Sequence, residues 1–323
     1  MRSGHSELLS GREHCFLNVV YGPSEHAAGG WHRLLVHVAG FLLLFLPVGP
    51  VAFAHPDLLL QIEELTEQLE RQADNIDLLL KRGDLQRRHQ SWDLARADFK
   101  RVREIQADNK TIDWFEGRLD VESGRPDEGV QYLDRFLYSN PGHALALQNR
   151  AQGYLLLKRP LLAAQDFAAV IQASDRPAPS LFSANALALV EAGDDHYSTA
   201  MLVVHSGLMQ FPAEVRLTGI GVDLSLARSD TDTASKLIVQ LPAPVLKLPQ
   251  WQTRQALLEC QAGNEARATL WFNLAVGDSP GSSHRQPLLT GKWLVLLAAE
   301  PSTENCQAAA VEILQRYHGI LLR

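Results

Sequence analysis

Small and bulky residues in this chain recur every 34 positions across three consecutive stretches, Asn75–Asn109, Lys110–His143 and Ala144–Pro177. Gly83, Gly117 and Ala151 form one series, and Ala95, Gly129 and Ala163 a second. Phe99, Leu133 and Phe167 form a third, and Val102, Phe136 and Val170 a fourth. Two short antiparallel helices approach closely only where both present a small side chain, and a bulky residue one turn later fills the groove between them. A fixed period of this length is the mark of a repeat architecture. Apolar spacing predicts helices over Leu78–His89, Trp92–Gln106, Asp113–Glu122 and Pro126–Tyr138. Gly124-Arg125-Pro126 and Lys158-Arg159-Pro160 mark turns, each with proline at the first position of the next helix. Asn140-Pro141-Gly142 ends the second pair.

This pattern resembles the tetratricopeptide repeat (TPR) family. Gly117, Gly124, Gly129, Leu133, Phe136 and Pro141 match its motif in the second unit, and Ala151, Tyr154, Ala163, Phe167 and Val170 in the third. Asp120 and Gln86 stand where the motif has an aromatic residue, and Arg82, Glu116 and Arg150 where it has leucine; these departures are expected to weaken individual units. The resemblance implies an all-α fold, a right-handed α-solenoid of about six TPR-like helical hairpins with an opening helix and a C-terminal helical cap. It spans an opening helix at 55–75, with Leu58, Ile62, Leu65 and Leu69 as its stripe, and three well-matched units at 76–177. Three degenerate units follow at 178–280: Leu181–Ala192 with Tyr197–Phe211, Val215–Arg228 with Thr233–Leu241, and a sixth from Trp251 through Ala268, Phe272 and Ala275 to Pro280. Beyond the loop Gly277–Thr290, helices at Trp293–Ala299 and Glu304–Leu321 read as the cap, 281–323.

Residues 1–54 read as an address. Arg33 precedes an uncharged run, Leu34–Ala54, whose core Val38–Leu46 is almost wholly apolar, and Ala52-Phe53-Ala54 supplies a peptidase-type site. Cleavage after Ala54 would leave an exported, periplasmic protein. The alternative is an uncleaved anchor with the body facing out of the cytoplasm, which would be the only membrane attachment. The preceding 1–30 has no period and reads as an extension or an upstream start.

The chain carries 30 Lys+Arg against 37 Asp+Glu, a net of −7, which speaks against a dedicated nucleic-acid binder. Three cysteines are too few for a disulfide-dense scaffold or a Cys-based zinc module. Cys260 and Cys306, on separate predicted helices, could bond in an oxidising compartment or stay buried as free thiols. No phosphate-loop, zincin, nucleophile-elbow or dinucleotide motif occurs, and no histidines pair at helical spacing, so no catalytic residue, metal site or cofactor is expected. Asp194, Asp195 and His196 form an acidic turn. The cations Lys81, Arg82, Arg87, Arg88, Arg96, Lys100, Arg101 and Arg103 either meet an anionic partner or pair with Asp84, Asp93, Asp98 and Glu104.

In the TPR family the first helix of each unit lines a groove for a peptide or a partner's helix. Carried over by position, the resemblance implies a partner-binding groove at Asp77, Leu80, Asp84, Arg87, Arg88, Trp114, Arg118, Glu122, Gln148 and Gln152, with Thr111, Leu145 and Leu155 on the same faces. Trp114 and Arg118 lie four apart and belong to residue types that dominate binding hot spots, though Trp114 could instead pack on a neighbouring unit. The family's carboxylate clamp needs Lys and Asn where this chain has Leu80 and Asp84. The resulting expectation is an exported, non-enzymatic protein–protein interaction scaffold. The alternative is an accessory subunit of an envelope enzyme or assembly complex, with its site in the degenerate C-terminal half.

Overall fold

The computed structural model describes residues 56–277, 297 and 301–317. The leader, His55, Pro280, the loop expected to end at Thr290 and most of the helix expected at Trp293–Ala299 lie outside the described residues.

An opening helix α1 (Pro56–Arg71) precedes six hairpins among the described residues: α2 (Ile76–Arg88) with α3 (Trp92–Ile105), α4 (Thr111–Glu122) with α5 (Pro126–Ser139), and α6 (Ala144–Leu156) with α7 (Pro160–Ala173). These are followed by α8 (Pro179–Glu191) with α9 (Tyr197–Gln210), and α10 (Val215–Ala227) with α11 (Thr231–Ile238). After the short α12 (Ala243–Leu246), α13 (Pro249–Gln261) pairs with α14 (Glu265–Gly277), and α15 (Thr303–Tyr317) is the last described helix. The chain is a helical repeat protein whose first three units step by 34 residues. None of its described helices is long and apolar enough to cross a membrane.

The period is written into the caps. Asn75, Asn109 and His143 lie 34 apart, and each side chain accepts a backbone N–H in the first turn of the helix it precedes, from Leu78, Thr111 and Ala146. Every first helix ends on one left-handed residue, at Gln90, Gly124, Lys158, Gly193, Ser229 and Gly263. At five of these ends the following residue donates its N–H five positions back: Ser91 to Gln86, Arg125 to Asp120, Arg159 to Tyr154, Asp230 to Ser225 and Asn264 to Glu259. That is the Schellman arrangement, which satisfies otherwise orphaned carbonyls and reverses the chain in a few residues. The step between left-handed residues lengthens only on entering and leaving Gly193, where the one-turn 3-10 helix Asp194–His196 is inserted.

Within a hairpin the small residues meet. A Cβ on Gly117 would stand 3.0 Å from the Gly129 carbonyl oxygen, and a Cβ on Gly129 would stand 2.7 Å from that of Gly117, so the two backbones touch through both glycines. Phe99, Leu133 and Phe167 fill the space one turn on, each buried. The polar residues at the leucine positions are each met by a partner of opposite charge. Arg82 grips Asp98 through two N–H···O bonds of 2.9 and 2.6 Å, and Arg150 grips Asp166 through bonds of 2.9 and 2.7 Å, joining the two helices of units one and three. In unit two Glu116 takes that position and is bonded by Arg103 from the preceding helix. Asp120, at the aromatic position, is likewise buried and accepts from Arg96 and Arg125.

The C-terminal segment departs from an end cap. Helix α15 packs on α10, α13 and α8, the first helices of the last three units, and among the described residues makes no comparable contact with their second helices. Cys306, Ala309, Ala310, Ile313 and Leu314, spaced i, i+3, i+4, i+7 and i+8, are buried in the same core as Leu187, Ile220 and Leu257. Gln307 donates to the Ala227 carbonyl at 2.6 Å and accepts from Gln261 at 3.0 Å, and a Cys260–Cys306 disulfide ties α15 to α13. The consequence is visible in α10, where all residues from Leu217 to Leu226 are buried. The helix is enclosed on every side, and its one buried carboxylate, Asp223, is met by Arg254 of α13 through bonds of 2.7 and 2.6 Å.

Candidate partner-binding groove

In the first units the equivalent face is open. Gln61, Glu64, Leu65 and Gln68 from α1, Asp77, Leu78, Leu80, Lys81, Asp84 and Leu85 from α2, and Trp114, Phe115 and Arg118 from α4 line a groove of about 670 Å³. The α1 residues fall at i, i+3, i+4 and i+7, so one helical face forms that wall. The stripe Leu58, Leu65 and Leu69 sets how α1 lies on the array, with Leu58 and Leu69 buried. Sequence reasoning missed this wall. The available signal was that the second face of an amphipathic opening helix must point somewhere, and here it points into the groove.

Five of the expected residues, Asp77, Leu80, Asp84, Trp114 and Arg118, come together here. Trp114 packs on the neighbouring unit and also lines the groove. Its indole N–H donates to Asn149 of α6 at 3.1 Å, and its ring lies 4.9 Å from His143 and 6.2 Å from Phe136, yet it still lines the groove. It is a large aromatic held rigid by the next unit, which lowers the entropy lost when a partner covers it.

Arg87 does not face a partner. It is buried, donating to Asp84 at 3.0 Å and to Glu122, while Arg118 donates to Glu122 at 3.2 Å and reaches Asp84 at 3.5 Å. The four side chains form an alternating square across the C-terminal ends of α2 and α4. Its charges cancel, and it fixes where Asp84 and Arg118 sit. Arg88 is exposed and Glu122 is a member of the square; neither lines the groove. Gln148 and Gln152 lie farther along, on α6, and the Gln148 amide donates to its own helix at the Ala144 carbonyl, 3.3 Å away.

Of the two readings of the cationic cluster, pairing prevails. Arg82, Arg87, Arg96, Lys100, Arg101 and Arg103 all carry ion pairs, to Asp98, Asp84, Asp93, Glu104, Asp74 and Glu116 among others, and only Lys81 and Arg88 carry none among the described residues. Beside that network, burial pushes the Glu116 carboxyl above its ordinary range against the pull of Arg103. Asp194, Asp195 and His196 lie in the 3-10 turn, with both aspartates exposed.

No known family profile matches the chain, and no curated protein does. Among solved structures it is similar to a tetratricopeptide repeat protein from Parabacteroides merdae, at 17% identity and a TM-score of 0.46 over 83% of this chain and 97% of that one. It is also similar to YrrB, described as a TPR protein with an unusual peptide-binding site, at 13% identity and 0.49 over 62% of this chain and 97% of the other. The third is pilF of Pseudomonas aeruginosa, at 14% identity and 0.48 over 64% and 93%.

Proposed function

We propose that this protein is an exported, non-enzymatic scaffold that binds a peptide or partner helix along the first helices of units one to three. The supporting observation is the contrast between the two halves of one face. The last three units have theirs covered by α15, while the first two leave an apolar floor of Leu65, Leu80, Trp114 and Phe115 in the open. An uncovered aromatic anchor beside fixed polar groups is the arrangement that carries binding energy at protein interfaces. The apolar run Val38–Leu46 and the Ala52-Phe53-Ala54 site support export, with cleavage after Ala54.

The test is affinity capture from intact cells with the full chain as bait, comparing wild type with Trp114→Ala and Arg118→Ala, each first shown to melt cooperatively. A partner whose recovery falls with both variants supports the groove. Partners that remain fully bound to both would sink it.

A further inference from the structure

We infer that the open groove takes a basic amphipathic helix, one with a row of small and branched apolar side chains flanked by Lys and Arg. This deepens the reading above and rests on it. Helicity of the occupant is argued from α15, which already occupies the matching face of the last three units. It presents Cys306, Ala309, Ala310, Ile313 and Leu314 at the spacing of a single helical stripe. The early first helices α2 and α4 are set side by side as α8 and α10 are, and between them and α1 they leave an elongated apolar floor open to a second helix.

The sign of the partner's charge follows from which groove residues are already paired. Arg118 is neutralised by Asp84 and Glu122, and Trp114 has its N–H on Asn149. The lining charges without an ion pair among the described residues are Glu64, Asp77 and Lys81, and Glu64 meets only the Gln68 amide, at 3.5 Å. The wall behind them is anionic, since α1 carries Asp57, Glu63, Glu64, Glu67 and Glu70 against Arg71 alone. Arg82, Arg87 and Arg118 are held in ion pairs of their own, so the unpaired groove charges are two carboxylates, Glu64 and Asp77, against the single ammonium of Lys81, and with the acidic wall behind them the net field over the groove is negative. Such a field favours a cationic partner and repels an anionic one.

The experiment uses two fluorescein-labelled 15-residue synthetic helices, matched to α15 in length, with identical apolar faces and either Lys/Arg or Glu on the flanks. Binding to the full chain is followed by anisotropy at low and moderate salt. The basic helix is expected to bind about tenfold more tightly than the acidic one, as two to three exposed ion pairs allow. The exposed double variant Glu64→Gln/Asp77→Asn is expected to lose about threefold for the basic helix only and to show a shallower salt dependence. Equal or tighter binding of the acidic helix, with both helices weakened by Trp114→Ala, would overturn the charge assignment and leave the groove standing. Failure of the basic helix to bind, or binding indifferent to Trp114→Ala, would overturn both.

Discussion

The contact between α4 and α5 is made through two residues without side chains. Gly117 and Gly129 meet backbone to backbone, and neither the Leu133 and Val121 side chains nor the facing carbonyls leave room for a methyl group. Gly129→Ala should therefore cost about 1–3 kcal/mol through overpacking. Gly142→Ala, where a Cβ would meet nothing within 4 Å, should be close to neutral in the same denaturant unfolding experiment. Glycine at these two positions was legible in the sequence because the period isolates them. The ion pairs were less so. Arg82 and Arg150 looked like damage to the motif because a residue read alone shows no partner, yet Arg82/Asp98 and Arg150/Asp166 repeat one 16-residue spacing two units apart. Glu116 fills the same position with the opposite charge. Its folded-state pKa is raised by burial, so its contribution to stability is fullest below the unfolded value and is lost as pH rises through the folded one. The melting temperature of Glu116→Gln should accordingly gain on wild type as pH is raised from about 4 to 7, and a gap that narrows on the acid side to the variant's favour would contradict this.

At the level of the helix, the reversal inside each hairpin depends on one left-handed residue, and three of the six are not glycine. Gln90 and Lys158 hold φ of 62° and 57°. Replacing either with glycine should raise stability by about 0.5–1 kcal/mol, relief of left-handed strain exceeding the entropy glycine adds to the unfolded chain. Thermal melts of Gln90→Gly and Lys158→Gly check it, and a fall in stability would count against the Schellman geometry. Helix positions were readable from apolar spacing and from proline at the first turn, as at Pro126 and Pro160. The location of α15 was not, because the period has stopped by then and one apolar stripe suits an end cap as well as a groove. The clue lay elsewhere, in α8 and α10, whose apolar and small residues run round the whole helix and call for a covering partner.

Over the whole array, the disulfide makes α15 a fixed part of the interior. Cys306→Ala frees the 46-residue span that the bond closes and leaves Cys260 without its partner. Loss of the cross-link should lower stability on the order of 3 kcal/mol, read as a drop in melting temperature, and mass spectrometry of the unreduced wild type should find Cys260 and Cys306 joined. The central claim is that one continuous face is filled in its C-terminal half and free in its N-terminal half. Amide hydrogen exchange on the full chain, resolved by peptide, tests this most directly, because protection tracks enclosure by packed neighbours. We expect peptides covering Leu217–Leu226 of α10 to exchange among the slowest in the molecule, and those covering α1 and the first turns of α2 markedly faster. Exchange in α10 as fast as in α1 would show that nothing covers that helix, and the division of the groove would fall with it.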